Sequence, residues 1–253
     1  MSNGTPLIAS LQRTLAMLEA VVADGGEQSV SALARAIGMP VATAHRQVAT
    51  LVAEGYLAPT GGGRHIAGPK LLGLLHRLDE KQVIANVAAP VLHDLAGQVR
   101  STVQLGTFEN DMVTYRIKTG RGASELFTQI GMQLEAYCSG IGKVLLAHLP
   151  IEQLRGYLAT GPFVPLTERT ITDPARLAVE LERVRAQGLA VDDQEIAAGL
   201  YCIAAPIRMA DGRVPAAISI SRSAAQIDPA REENVRRLLL DAARAIEQRM
   251  QAA

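Results

Sequence analysis

Tryptophan is absent from this chain, and phenylalanine and tyrosine number only three and five among its 253 residues. Stacking walls are therefore scarce, which favours a compact ligand over an extended ring system, although a single ring still fits a Leu, Ile and Met pocket. The two cysteines, Cys138 and Cys202, make no disulfide framework and have no metal-ligand spacing. Net charge is zero, with 25 Lys and Arg against 25 Asp and Glu, so nothing global marks a nucleic-acid binder. The N-terminus lacks a basic start and an apolar core of signal length, and no apolar run approaches the roughly 20 residues that span a bilayer. A cytoplasmic protein without membrane contact is expected. There is no internal repeat or low-complexity tract. What remains is a chain long enough for two domains, with 48% hydrophobic content to build a core in each.

Residues 31–57 are the most informative stretch. Ser31 is suited to cap a short helix that Gly38 ends in the left-handed conformation. Pro40 is suited to the first position of a second helix. Across residues 41–53, Ala44, Val48, Leu51 and Val52 keep helical spacing and face a core, leaving Thr43, Arg46, Gln47 and Thr50 on the opposite side. A polar, cationic second helix is what base-edge and phosphate reading needs, but an ordinary helical hairpin with a solvated face has the same pattern. Gly55 ends that helix. Two extended runs, 56–59 and 64–67, then flank residues 60–63, whose three glycines permit a hairpin turn. A helix pair followed by a basic hairpin is a winged helix-turn-helix, with Arg64 and His65 on the wing. From Gln28 to Leu78 five cations (Arg35, Arg46, Arg64, Lys70 and Arg77) face one anion, Glu54. That modest surplus implies a weak electrostatic grip per copy, which a dimer would reinforce.

Before this stretch, Ser10 is placed to cap a helix with Leu11, Leu15, Leu18 and Val22 on its core face, closed by Gly25 and Gly26. Its Arg13 is a candidate phosphate contact, though solvent exposure is the more common fate of such a residue. After the wing, residues 69–78 read as an apolar helix whose leucines exceed what one solvated helix needs, followed by a second helix over 83–99. The organisation expected is residues 1–68 as DNA-binding domain, 69–82 as linker helix and 83–253 as a second, α+β domain. In that domain strands are expected at 102–108 and 112–118, joined by a turn at Asn110 and Asp111, and at 202–207 and 214–221, joined at Asp211 and Gly212. Helices are expected at 139–148, 151–158, from Asp173 to Gly188, and from Asp228 onward, the last with Val235, Leu238, Ala242 and Ile246 inward.

Three constellations in the second domain bear on chemistry. Residues 139–143, SGIGK, lack the Gly and the Ser or Thr of a phosphate loop, having Tyr137 and Val144 there, so nucleotide hydrolysis is rejected. A glycine turn opening a helix favours a small anion, or it serves only to let the helix pack closely on the sheet. A thiol enzyme built on Cys138 or Cys202 with His148 or His93 is a second possibility, but no nucleophile elbow or paired acid and base accompanies them. The acidic run Asp192, Asp193 and Glu195 has no completing ligands for a metal, and a solvated turn is its common explanation.

Over nearly its full length the chain resembles the IclR family of bacterial transcriptional regulators. The resemblance is carried by residues 10–15 (SLQRTL), 38–40 (GMP) leading to 43–46 (TAHR), 55–57 (GYL) and 68–72 (GPKLL). It continues through 140–147 (GIGKVLLA), 192–195 (DDQE), 199–206 (GLYCIAAP) and 217–221 (AISIS). It implies a winged helix-turn-helix head, a linker helix and a GAF-like antiparallel-sheet domain that binds a small organic acid. It also implies assembly as a homodimer or a dimer of dimers on a double-stranded DNA operator, with no cofactor and no enzymatic activity. By position, the implied DNA contacts lie among Arg13, Ala42, Thr43, His45, Arg46, Gln47, Thr50, Arg64 and His65. The implied effector residues are Gly140, Ile141, Asp192, Cys202, Ser219 and Ser221, with Leu126 and Met132 as further apolar wall. Those residue types make sense together: turn N–H groups and strand hydroxyls grip a carboxylate, a thiol gives a slim wall, and Asp192 accepts from a hydroxyl. Two departures from the family pattern are Val41 and Ala42 where a basic residue and a serine are usual, and Gln47 where leucine is usual. A protein-interaction module whose head binds no DNA is the third possibility besides regulator and thiol enzyme.

Overall fold

The computed structural model describes residues 6–251. The chain divides into two compact units between Asp79 and Glu80, three residues before the expected boundary at Gln82.

In the first unit, α1 (Ala9–Asp24), α2 (Val30–Ala36) and α3 (Val41–Ala53) precede a hairpin of β1 (Leu57–Gly61) and β2 (Arg64–Ala67), and α4 (Pro69–Leu75) follows. The two strands pair antiparallel, and Gly61, Gly62 and Gly63 all take positive φ, which side chains disfavour. The core is made by Met17, Val21, Val30, Leu33, Ala44, Val48, Leu51 and Leu57. Ala44, Val48 and Leu51 are the expected inner face of α3, and Val52 packs at its edge.

Several local expectations shift. Ser10 does not cap α1; Ile8 stands at the cap, and the Ser10 carbonyl accepts from the Thr14 hydroxyl at 2.9 Å. The core takes Met17 and Val21 rather than the leucine stripe, which leaves Leu11, Leu15 and Val22 exposed and Leu18 at the margin. Apolar residues lie on two adjacent faces of α1, so spacing alone could not choose between them. Ser29, not Ser31, caps α2, accepting from the Ala32 N–H at 3.3 Å, because burying Val30 starts the helix earlier. Pro40 is the cap rather than the first residue of α3: its ψ of 126° is extended, and its carbonyl accepts from the Thr43 and Ala44 N–H groups. α4 stops at Leu75, short of the expected helix over 69–78, and buries none of its residues.

The second unit is a six-stranded antiparallel sheet in the order β5-β4-β3-β8-β7-β6. Its strands are β3 (Thr102–Glu109), β4 (Met112–Gly120), β5 (Gln133–Glu135), β6 (Ala190–Asp193), β7 (Leu200–Ile207) and β8 (Ala216–Ser223). Helices α5 (Glu80–Val99) and α9 (Pro229–Gln251) cover one face; α6 (Gly140–Ala147), α7 (Ile151–Leu158) and α8 (Pro174–Gln187) cover the other. Strand alternation sorts the side chains: Val103, Leu105, Ile203, Ile218 and Ile220 go to the α5/α9 core, while Ala204 and Ala217 go to the α6 side. The α+β class and both expected hairpins hold, and Asp173 caps α8 through the Arg176 N–H at 2.9 Å. β5 and β6 are short strands without a sequence signal. In α9 Leu239 and Ala243 join Ala242 and Ile246 in the core, and Val235 and Leu238 are only half-buried. Among the described residues no helix is long and apolar enough to cross a membrane.

Candidate effector pocket and DNA-reading face

Pairing across the sheet builds one polar row. Asp192 of β6 lies opposite Cys202 of β7, Cys202 opposite Ser221 of β8, and Ser221 opposite Thr102 of β3. One step along, Ala204 faces Ser219, and Ser219 faces Gln104. Because side chains alternate, both rows point to the α6 side. They floor a narrow cavity of about 10 Å³, room for about one water molecule until the roof loop moves, and that roof includes Gly140 and Ile141 of α6 and Leu126, Phe127 and Thr128 of the loop after β4.

Four polar side chains of this cavity are tied into one chain. The Cys202 thiol donates to Ser221 Oγ (3.2 Å), Ser221 donates to Gln104 Oε1 (3.2 Å), and Gln104 Nε2 donates to Thr128 Oγ1 (2.8 Å). That chain joins the sheet floor to the roof loop, whose Leu126 and Thr128 carbonyls also accept from the Lys118 ammonium. Asp192 stands outside that chain. It is 1% exposed; Oδ1 accepts from the Glu195 N–H at 2.7 Å, while Oδ2 is buried with no hydrogen-bond partner. Burial pushes its carboxyl up to about 7, against the lowering effect of the Glu195 N–H. At the start of α6 the Ser139 hydroxyl accepts from Gly142 N–H (3.0 Å) and the Ser139 carbonyl from Lys143 N–H (2.9 Å). The helix supplies no partner for the N–H groups of Gly140 and Ile141, which line the cavity at the positive end of the helix dipole.

The glycines serve both purposes left open by the sequence. A Cβ on Gly142 would lie 2.1 Å from the Ala136 carbonyl oxygen, so that position is fixed by packing. Gly140 borders the cavity. Lys143 turns away from it, fully buried, with its ammonium 2.5 Å from Glu195 Oε1, 2.5 Å from the Val191 carbonyl and 3.5 Å from Glu180 Oε1.

Gly140, Ile141, Asp192, Cys202, Ser219, Ser221 and Leu126 come together in this cavity. Met132 does not: it is 37% exposed on the run into β5 and is absent from the lining. The acidic run is not a solvated turn, since Asp192 sits in β6 and Glu195 is buried against Lys143. Sequence reasoning missed Gln104, Tyr115, Thr128 and Ser139 as lining residues, and Lys143 as the buried counter-charge. A lone lysine in the otherwise apolar GIGKVLLA helix, with an acidic run available downstream, was a usable signal for the last. Thr128 carries none.

A thiol nucleophile is disfavoured. Cys138 and Cys202 are both buried, and burial pushes both thiols far up, with nearby carboxylates adding to the effect. His148 is committed elsewhere, to the Val144 carbonyl (2.8 Å) and Arg208 (3.2 Å), and His93 lies exposed on α5. Among the described residues no cluster of three or more His, Cys, Asp or Glu is placed to hold a metal ion.

In the first unit, Arg13, Thr43, Arg46, Gln47 and Thr50 line one groove with Ser10 and Thr14. Arg46 and Thr50 are exposed; Gln47 is half-buried, and its Oε1 is buried without a partner. Ala42 is exposed beside them but offers only a methyl group. His45 is turned toward α2, where its Nε2 is hydrogen-bonded to the Ser31 hydroxyl at 3.0 Å. Arg64 stands exposed at the start of β2, and His65 is half-buried. A helix with exposed cation and hydroxyls, flanked by a basic hairpin, defines a DNA-binding head, and the enclosed polar cavity defines a small-ligand sensor.

Comparison with known proteins places both units in one family. Residues 76–248 match the pattern described as bacterial transcriptional regulator IclR C-terminal, and residues 10–61 match the IclR helix-turn-helix domain. The chain belongs to the IclR family of bacterial transcriptional regulators, a family of DNA-binding regulators rather than enzymes. It is 33% identical over 222 residues to the Pca regulon regulatory protein of Pseudomonas putida, covering 87% of this chain and 76% of that one. The crystal structure of Agobacterium tumefaciens repressor BlcR is 28% identical with a TM-score of 0.70, covering 96% of this chain and 97% of that one. An IclR homolog from Microbacterium hydrocarbonoxydans, solved in complex with 4-hydroxybenzoate, is 28% identical with a TM-score of 0.64, covering 97% and 100%.

Proposed function

We propose that this protein controls a catabolic or metabolic operon in response to a small organic acid. Residues 1–68 read a double-stranded operator, residues 69–82 link, and residues 83–253 hold the effector. The observation that carries this reading is the partnerless Asp192 Oδ2, buried in the cavity that Gly140 and Ile141 also line. A carboxylate accepts from those two N–H groups at the helix start, and a hydroxyl elsewhere on the ligand donates to Asp192. The 4-hydroxybenzoate in the related structure has both groups, which supports the choice of a hydroxylated acid. Binding then shifts the population of arrangements that present α3 to DNA, and two or four copies multiply a modest contact per head.

Selection from a random DNA pool tests the first half. One sequence class is expected to enrich, with an affinity that changes on adding acid. Arg46→Ala is expected to lower specific affinity by about 1–3 kcal/mol per half-site. No enrichment of any sequence would sink the proposal. Thermal shift against hydroxylated carboxylic acids, 4-hydroxybenzoate among them, tests the second half. Stabilisation by at least one acid, lost in Asp192→Ala, is the expected result.

A further inference from the structure

The effector cavity contains no basic side chain among the residues that line it. Its neighbour is the opposite. An open recess of about 580 Å³ shares Leu126, Leu200 and Ser221 with the cavity as common walls, and Arg100, Arg121 and Arg222 line it. Strand register explains why three arginines meet there. Gly120 of β4, Thr102 of β3 and Ser221 of β8 lie side by side at one end of the sheet. Arg121 follows the first, Arg100 precedes the second by two residues, and Arg222 follows the third.

The three are not equivalent. Arg222 is already committed: its guanidinium donates to both carboxylate oxygens of Glu232 at 2.9 and 2.8 Å and lies 5.6 Å from the Tyr201 ring centroid. Arg100 and Arg121 have no hydrogen-bonded or ion-paired side-chain partner among the described residues, and both are exposed. Glu125 is the one acidic residue lining the recess, so it keeps a surplus of positive charge. Arg100 also has φ of 50°, a left-handed conformation that non-glycine residues rarely adopt.

We propose that Arg100 and Arg121 form a second anion subsite, and that the effector is a dicarboxylic acid spanning both chambers. This rests on the reading of the inner cavity as an acid site. One carboxylate sits at the Gly140 and Ile141 N–H groups, and the other passes Ser221 and is met by the two free guanidinium groups. The inner end is neutralised only by dipoles; the outer end meets full charges, which is where a doubly charged ligand gains over a singly charged one. Arg121 belongs to the roof loop and Arg100 to the sheet side, so the outer carboxylate bridges the two.

The test is calorimetric titration of the full chain with hydroxylated dicarboxylates from malate to 2-hydroxypimelate, the hydroxylated monocarboxylates of matching length, and the ring pair 3-hydroxybenzoate and 5-hydroxyisophthalate. At least one diacid is expected to bind tenfold or more tightly than its matching monoacid, with an advantage that shrinks as salt is raised. Arg100→Gln with Arg121→Gln is expected to reduce that diacid to the monoacid's affinity and leave the monoacid unchanged. Monoacid binding with no diacid gain, or a gain that survives in the double variant, overturns the subsite and leaves the inner site standing. Binding of no acid from any series overturns both.

Discussion

In the first unit the side chains placed for DNA stand in solvent, Arg46 and Thr50 on α3 and Arg64 on the wing. In the second, Asp192, Cys202, Ser219 and Ser221 are each less than a tenth exposed. The two sites solve different desolvation problems. A DNA backbone arrives as a dense array of charge, so exposed cations meet it at little prior cost. A small acid must leave water altogether, and the pocket that receives it must hold polar groups inside a packed core, where each one left unsatisfied is expensive. The hydrogen-bonded chain from Cys202 to Thr128 meets that cost for most of them. Asp192 Oδ2 stays buried without a partner.

The difference breaks most visibly at Lys143. Replacing it by methionine leaves Glu195 buried without a cation while Glu180 keeps Arg183, and Glu195 is the residue whose N–H holds Asp192. Loss of one partner of a buried ion pair costs about 3–5 kcal/mol. Urea unfolding of Lys143→Met is therefore expected to show a loss of that size, partly restored by adding Glu195→Gln. Arg46→Ala, on the exposed face, is expected to stay within about 0.5 kcal/mol of the parent. Equal effects from the two substitutions would erase the distinction.

A second effect, of similar size, separates the sites by pH. The Asp192 carboxyl is pushed from an ordinary 3.8 to about 7 in the folded chain, so the folded state holds a proton that the unfolded state has lost. Its contribution to stability is full below pH 3.8, falls as pH rises through 7, and levels off above. The linked change is roughly 4 kcal/mol in magnitude. Asp192→Asn is expected to remove that fall, giving a flatter stability profile between pH 4 and 7 and a higher stability than the parent at pH 8. A parental slope that persists unchanged in the variant would assign the titration to another group.

What could be read from the sequence follows the same division. α3, the wing, and α8 with its Asp173 cap are set by neighbours a few residues apart, and periodicity with punctuation locates them. The pocket is set by register. Asp192, Cys202, Ser221 and Thr102 become one row only through three strand pairings, one of which, β3 with β8, joins segments far apart in the chain. Resemblance to the family supplied Asp192, Cys202, Ser219 and Ser221 by position. It supplied neither Gln104 and Thr128, which tie floor to roof, nor the exposure of Met132. Lys143 and Glu195 are 52 residues apart, and no local pattern pairs them. Where local preference and tertiary packing competed, packing prevailed: burial of Val30 moved the cap from Ser31 to Ser29, and Met17 took the place expected for the Leu11 and Leu15 stripe.

The smallest expected effect lies within the head itself and separates its two cationic positions. Arg64 leads β2, beside a turn whose three glycines present no side chains, so a contact there is with phosphate and carries no sequence. Arg46 projects from the middle of α3 among Thr43, Gln47 and Thr50, where a base edge is within reach of its neighbours as well. Arg64→Ala is accordingly expected to weaken specific and non-specific DNA alike and to reduce the slope of log affinity against log salt by about one per head. Its preference among operator variants is expected to stay that of the parent, while Arg46→Ala relaxes it at one base position of each half-site. Fluorescence anisotropy over a salt series, on an operator and on a scrambled duplex, reads both quantities. A wing variant that relaxed preference without changing the salt slope would exchange the two roles and place sequence reading on the hairpin.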